Sequence, residues 1–151
     1  MKPTEPLPLH HSWPLFERER RFELGHAFAW PASGPILSAG PLPEEWAAQG
    51  IGLWECDLAD NSLTWSDAVY DIFGLPRGAR VRRRDVVELY AESSGAAMER
   101  LRAYAIRHRR GFTLDAELRP ARGDARWMRL IAMPVCDGRQ VVRLHGVKLA
   151  I

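Results

Sequence analysis

The sequence predicts an α+β domain over residues 44–151, preceded by an irregular arm over residues 1–43. Eight of the eleven prolines fall in the arm, and proline removes a backbone donor and blocks helix interiors. Beyond the arm, two strand-like segments precede a helical region, and three further strand-like segments joined by short turns end the chain. Strands and helices grouped in this way are typical of the α+β class.

Composition is that of an ordinary soluble domain. With 151 residues, 46% of them hydrophobic and 26% charged, the chain is long enough for one domain and too apolar to be wholly disordered. No apolar run reaches the ~18–20 residues of a membrane-spanning helix, and the first residues lack the apolar core of a secretory signal. The net charge of +2 argues against nucleic acid as the main partner. We therefore expect a cytoplasmic protein that binds neither membrane nor nucleic acid.

The arm carries more aromatic side chains than a free tail needs. We expect part of it to pack on the domain or on a partner because of Trp13, Phe16, Phe22, Phe28 and Trp30.

The first half of the domain predicts a hairpin followed by short helices. Residues 44–49 read as one or two helical turns that stop at Gly50, and residues 53–58 and 62–65 read as paired strands. Ser66 is placed to cap a helix over 67–73 with its hydroxyl, between Trp65 and Tyr70 at the hydrophobic-staple positions. Gly74 ends this helix, an arginine-rich loop covers 77–84, and another short helix covers 85–90.

The longest helix is predicted over residues 94–110. At 100° per residue one third of its circumference is apolar, which assigns the inward face to Ala97, Met98, Leu101, Tyr104, Ala105 and His108.

Three strands are predicted after this helix, over residues 112–119, 126–135 and 140–149. The first alternates apolar and polar residues, as a half-buried strand does. The second is apolar on both faces around Leu130 and Ile131, so each of its sides needs cover.

In this order the elements resemble the PAS sensor-domain family, in the branch found in bacterial sensor kinases and related signalling enzymes. The matching stretches are GIGLWECDL (50–58), LTWS (63–66), YDIFGL (70–75), the strand at 112–119, GDARW (123–127) and RLHGV (143–147). The resemblance implies a five-stranded antiparallel sheet in the order 2-1-5-4-3 with the helices on one face. It also separates Cys56 from Cys136 by one strand, roughly 9–10 Å, which is too far for a disulfide.

The resemblance implies a pocket between sheet and helices. Six side chains are expected around it: Phe73, Tyr90, Leu101, Tyr104, Leu114 and Leu130. His108 is the one candidate haem ligand, and its alternative role is to complement the dipole at the helix C-terminus. The Asn-Cys-Arg-Phe-like motif of flavin-binding members is missing, and both cysteines read as small buried hydrophobes. The sequence requires no cofactor and favours neither haem nor flavin.

No other constellation indicates chemistry. His10, His11 and His26 lack partners at metal-ligand spacing, and no catalytic triad or phosphate loop can be assembled. The densest charge run reads as a solvated loop, with an acidic partner or a nucleotide as the alternative; its members are Arg77, Arg80, Arg82, Arg83 and Arg84.

These observations predict a PAS-type sensory or regulatory module of bacterial signal transduction without catalytic activity. The Asp-Ile-Thr ending that couples many family members to an effector is replaced by Leu149-Ala150-Ile151, so we expect a free-standing module. It would bind a small apolar ligand, a protein partner or both, and pair as a homodimer. The alternative is an adaptor or dimerisation module that acts through the arm and the sheet face without a ligand. That the chain is an enzyme is the least supported hypothesis, because the sequence offers no paired acid and base residues.

Overall fold

A computed structural model describes residue 46 and residues 48–151. The predictions for the arm over residues 1–43 therefore lie outside the described residues, as do those for positions 44, 45 and 47. Trp46 and Ala48 are helical, and Gly50 follows with a φ of +73°.

The described chain forms five strands and three helices in the predicted order. The hairpin is β1 (Ile51–Asp57) and β2 (Ser62–Trp65), and the helices are α1 (Asp67–Phe73), α2 (Arg83–Val87) and α3 (Glu92–His108). The last three strands are β3 (Phe112–Leu118), β4 (Arg126–Asp137) and β5 (Gln140–Ala150). The two helices α2 and α3 both begin two residues earlier than predicted and end earlier as well.

The sheet is antiparallel and has the order β2-β1-β5-β4-β3, which confirms the predicted topology. β5 lies at its centre, where Trp54 of β1 pairs with Gly146 and Ala132 of β4 pairs with the same glycine. A register shift between Val135 and Cys136 bends the β4–β5 pair near its turn.

Both faces of the sheet are covered, as the apolar character of β4 requires. The larger core lies between the sheet and the helices and includes Leu130, while Ile131 belongs to a smaller cluster on the opposite face. Leu53 and Val147 join that outer cluster, and Trp46 packs against it. On the same outer face burial lowers the pKa of His145 to about 4, with nearby Arg143 as the second cause.

The start of α1 differs from its prediction in one hydrogen bond. Ser66 occupies the N-cap position with extended backbone, but its side chain makes no cap hydrogen bond. Its hydroxyl instead accepts from the Leu53 amide at 2.9 Å, which ties the helix start to β1. The staple prediction is correct, since Trp65 and Tyr70 meet edge to face at 5.0 Å, and Gly74 ends the helix with a φ of +69°.

The buried face of α3 is rotated from the predicted one. Ser94, Gly95, Met98 and Ala105 are its buried residues, whereas the side chain of Tyr104 is 45% exposed and His108 is exposed. Arg102 lies outside the predicted inward face, yet its side chain is half-buried.

The two thiols are free and lie in different environments. Cys56 is buried on β1, and Cys136 is exposed near the β4–β5 turn, so the expectation that both are buried is wrong for Cys136. β5 runs between the two strands that carry them, as the resemblance implied.

Candidate functional site

A cavity of about 50 Å³ lies between the sheet and the helices. The sheet contributes Trp54, Cys56, Leu63, Phe112, Leu130, Leu144 and Lys148 to its wall. The helical side contributes Arg83, Val86, Val87, Tyr90, Met98 and Arg102. The wall is thus largely apolar and carries a few cationic groups, a composition typical of a small-molecule site.

Lys148 is the most unusual residue of this wall. It lies near the end of the central strand β5, pairs with Gly52 of β1, and is only 6% exposed. Within the described part of the chain its ammonium makes no hydrogen bond and no ion pair. A charged group buried in this way costs several kcal/mol unless something compensates it.

Aromatic rings surround the Lys148 ammonium. Its Nζ lies 4.8 Å from the ring centroid of Phe73, 5.1 Å from that of Trp54 and 5.6 Å from that of Trp65. Cation–π attraction of this kind contributes about 1–2 kcal/mol when the partners are desolvated. We call Phe73, Trp54 and Trp65 the aromatic cage.

Local geometry holds the aromatic cage in place. Trp65 and Phe73 stack with their centroids 5.0 Å apart and their planes 14° apart. The indole of Trp54 crosses the central strand and donates from Nε1 to the Ile131 carbonyl at 3.3 Å. Gly146 lies between them in the sheet, where an added Cβ would collide with the same carbonyl oxygen.

Burial shifts the pKa values of the lysine, the cysteine and the tyrosine in the cavity wall. It lowers the pKa of Lys148 to about 7; the Cys56 side chain opposes this shift, and the charge of Arg83 adds to it. Burial also raises the pKa of the Cys56 thiol and the pKa of the Tyr90 phenol. Near neutral pH the thiol and the phenol are therefore uncharged, and the amine is divided between its two forms.

Two arginines from the helices complete the wall. Arg83 of α2 forms an ion pair with Glu99 of α3, and Arg102 of α3 donates to Oδ1 of the Asn61 side chain at 2.9 Å. These contacts tie α2, α3 and the β1–β2 turn together around the cavity.

The structure brings some of the predicted pocket residues to the cavity and leaves others apart. Tyr90 and Leu130 line it, and Phe73 lies behind the wall as part of the aromatic cage. Leu114 is fully buried in the same core without lining the cavity, and Leu101 packs on the core from α3. Tyr104 is exposed, so its assignment to the pocket is corrected: the rotation of α3 turns this side chain outward.

His108 lies at the exposed end of α3. Its imidazole packs on the ring of Tyr104 with centroids 4.2 Å apart, and neither side chain lines the cavity. This position gives His108 no access to a group bound between helices and sheet.

The arginine run is mostly a solvated surface, with one exception. Arg77 pairs with Asp71 through two hydrogen bonds of 2.8 and 3.1 Å, both side chains being largely exposed. Arg80, Arg82 and Arg84 are exposed. Arg83 alone turns inward, because α2 begins there instead of at residue 85.

Sequence reasoning missed Lys148, Cys56 and Gly146 as site residues. A signal was present in β5, since alternation puts Leu144, Gly146 and Lys148 on one face of the strand. A lysine on the same face as buried Leu144 is uncommon, because lysine is rarely buried without a partner.

In residue 46 and residues 48–151, no group of three or more His, Cys, Asp or Glu side chains could hold a metal ion. None of the helices in this part of the chain is both long and apolar enough to cross a membrane.

Comparisons with known proteins identify the fold. No family model and no curated protein match the chain by sequence. Among solved structures, the N-terminal domain of a diguanylate cyclase with a PAS/PAC sensor from Marinobacter aquaeolei matches at 14% identity and a TM-score of 0.60, over 66% of this chain and 94% of that one. An RNA-binding light-oxygen-voltage receptor matches at 14% identity and a TM-score of 0.59, over 66% of this chain. The match spans only 29% of the receptor.

A light-oxygen-voltage domain studied with a flavin analogue also matches, at 15% identity and a TM-score of 0.53, over 72% of this chain and 82% of that one. At such identities the shared property is the fold. The chain has the PAS fold, which confirms the resemblance noted in its sequence.

The flavin of that neighbour does not fit the cavity around Lys148 as it stands. A cavity that accommodates benzene has a volume of ~150 Å³, about three times the 50 Å³ found here, and a flavin carries three fused rings. A haem is larger still. That neither group binds stays a prediction, which an absorbance spectrum of the purified protein tests.

Proposed function

We propose that this chain is a sensory PAS module that binds a small molecule in the cavity beside Lys148 and makes or breaks no bonds in doing so. The observation that carries the proposal is a cavity between sheet and helices whose wall includes a buried amine without a polar partner in the described chain. Protein interiors are close-packed, so unfilled space beside such an amine is uncommon.

The position of Lys148 supports a sensory role. The residue belongs to β5, which pairs with both β1 and β4, so a shift at Lys148 reaches the centre of the sheet. Its neighbour Val147 points to the other face, where it joins Leu53, Ile131 and Trp46 in the outer cluster. A ligand that favours one position of β5 would thus alter the packing on the outer face by a population shift.

The test is occupancy of the cavity. Native mass spectrometry of the gently purified full chain should show a species heavier than the 17.1 kDa polypeptide. The variant Val86→Leu enlarges a side chain in the cavity wall and should lose that species. Val142→Leu is the matched control, because Val142 lies at the β4–β5 irregularity outside the wall, and it should retain the species.

The opposite result would favour the adaptor alternative. If the wild-type chain carries no added mass, and if small molecules leave the amide NMR signals of the cavity wall unchanged, the sensory proposal is wrong. A protein partner acting without a ligand would then explain the fold better.

A further inference from the structure

The charges around the cavity are all of one sign. Lys148, Arg83 and Arg102 line it, and no aspartate or glutamate is among its described wall residues. The other titratable wall residues are Cys56 and Tyr90, which stay neutral near pH 7 because burial raises the pKa of each. Glu99 offsets only Arg83, from a position that is itself partly exposed.

The Lys148 ammonium lacks the partner that its burial demands. Three aromatic rings face it, but rings replace only part of the hydration that a charged amine loses. The charge of Arg83 disfavours the protonated amine, and neither Arg83 nor Arg102 can supply an acceptor. An anion at this place would neutralise the ammonium and accept its hydrogen bonds.

The size of the cavity limits that anion to a few non-hydrogen atoms. Its volume of about 50 Å³ exceeds the ~10–15 Å³ that a cavity needs to hold one water molecule and is far below the ~150 Å³ that accommodates benzene. Met98, Leu130 and Leu144 supply an apolar wall opposite the charges. A carboxylate with a short apolar end matches both parts of the wall.

We propose that the cavity is a site for a small carboxylate of the size of formate or acetate, with Lys148 as its counter-ion and Arg102 as a second source of positive charge. This inference rests on the proposed sensory function and names the ligand class. The carboxylate oxygens accept from the Lys148 ammonium, and the methyl group of acetate contacts the apolar wall. Binding favours the protonated amine, so it raises the pKa of Lys148.

The chain allows a direct measurement of the amine. It contains two lysines, Lys2 and Lys148, so protein labelled with ¹³C at the lysine ε-carbon gives two signals. The variant Lys2→Met assigns them. Formate and acetate should shift the Lys148 signal in a saturable manner, and acetamide, which has the shape of acetate without its charge, should not.

The pH dependence gives a second readout on the unmodified protein. Acetate is ionised throughout pH 6–8, while the protonated fraction of an amine with a pKa of about 7 falls about tenfold over that range. Apparent acetate affinity should therefore be about tenfold weaker at pH 8 than at pH 6. Cys56 and Tyr90 keep their protons across this interval, and the two arginines keep their charge.

Variants complete the design. Lys148→Met keeps the length of the side chain without the charge and should abolish acetate binding, as followed by amide NMR. Arg102→Gln should weaken it. Arg84→Gln is the matched control, because Arg84 is exposed on α2 beside Arg83 and does not line the cavity, and binding should be unchanged.

Three results would overturn the inference. If acetamide binds as tightly as acetate, the charge of the ligand is irrelevant. If nitrate binds as tightly as acetate, the cavity is a general anion site without preference for carboxylates. Affinity independent of pH and of Lys148 would remove the counter-ion. If mass spectrometry detects a neutral ligand on the purified protein while acetate fails to bind, only the carboxylate assignment is wrong. A cavity that is empty and binds nothing contradicts the proposed sensory function as well.

Discussion

Lys148 makes the free energy of unfolding depend on pH in a window where few other groups titrate. In the unfolded chain its amine has an ordinary pKa of 10.5, and in the folded protein burial lowers that pKa to about 7. Between these values the unfolded state binds one more proton, so stability rises with pH. Below pH 7 both states are protonated, and the full cost of the buried charge remains.

We therefore predict that wild type and Lys148→Met diverge in a pH-dependent way. Relative to the variant, the wild-type free energy of unfolding should rise by at most about 1.4 kcal/mol per pH unit between pH 7 and 10. Urea denaturation at several pH values measures it. The raised pKa of Cys56 acts in the opposite direction at alkaline pH, and because this thiol interacts electrostatically with Lys148, its contribution does not cancel fully in the difference; the slope is therefore read between pH 7 and 8, where the thiol keeps its proton. A difference that is constant with pH would contradict the prediction.

Single positions also show what periodicity can and cannot predict. The alternation of β5 was sufficient to put Lys148 on the face of Leu144, but it could not say which face covers a cavity. For Cys136 the general tendency of free cysteine to be buried predicted a buried thiol, yet the thiol is exposed at the register shift between Val135 and Cys136. A bulge of this kind has no sequence signal that distinguishes it from regular pairing.

Among the elements, the central strand depends on the absence of a side chain at Gly146. Trp54 pairs with Gly146 on the adjacent strand, and its indole extends across the glycine to donate to the Ile131 carbonyl. A methyl group there would collide with backbone atoms, which cannot move aside as a flexible side chain can.

Replacing Gly146 by alanine should therefore destabilise the protein by about 3 kcal/mol. The matched control is Gly95→Ala in α3, where the new Cβ meets the Tyr90 Cβ at an ordinary 3.4 Å. Because alanine favours the helix, this control should stabilise the protein by about 0.5–1 kcal/mol. Urea midpoints report both; equal effects in the two variants would show that the contact at Ile131 is not limiting.

For α3 the sequence predicted the length and the existence of the helix, and it misplaced the buried face. Arg102 was not among the residues assigned to the inward face, although its side chain lines the cavity and its guanidinium donates to Asn61 Oδ1. Tyr104 counted as apolar and packs on His108 at the surface. Arginine and tyrosine side chains combine apolar and polar parts, so they occur on the buried and on the exposed face of a helix. Which face they occupy in α3 depends on its packing against β3 and the cavity.

At the scale of the whole molecule, the homodimer expected from the sequence stays a prediction. It was expected because both apolar faces of β4 and the aromatic-rich arm need cover; on the outer face Ile131 lies in a cluster with Leu53, Val147 and Trp46 of the same chain. Trp127 remains about half exposed at the start of β4 and is available to a second copy.

Light scattering on the full chain measures the oligomeric state. A mass of twice 17.1 kDa at micromolar concentration is the expected result. Trp127→Ser should shift the equilibrium toward monomer, with the exposed Arg84→Ser as its control. A mass of 17.1 kDa over the whole concentration range would exclude the dimer.

The sequence by itself determined the order of the elements, the hairpin predicted over residues 53–65 and the antiparallel meander that ends the chain, because turn residues and alternation are local signals. Through its resemblance to PAS domains it also predicted the strand order. Only the tertiary structure decided that the central strand brings a lysine among Trp54, Trp65 and Phe73, and that arginines from α2 and α3 meet it there. These groups are distant along the chain, and their proximity depends on how helices and sheet pack, which no local pattern records.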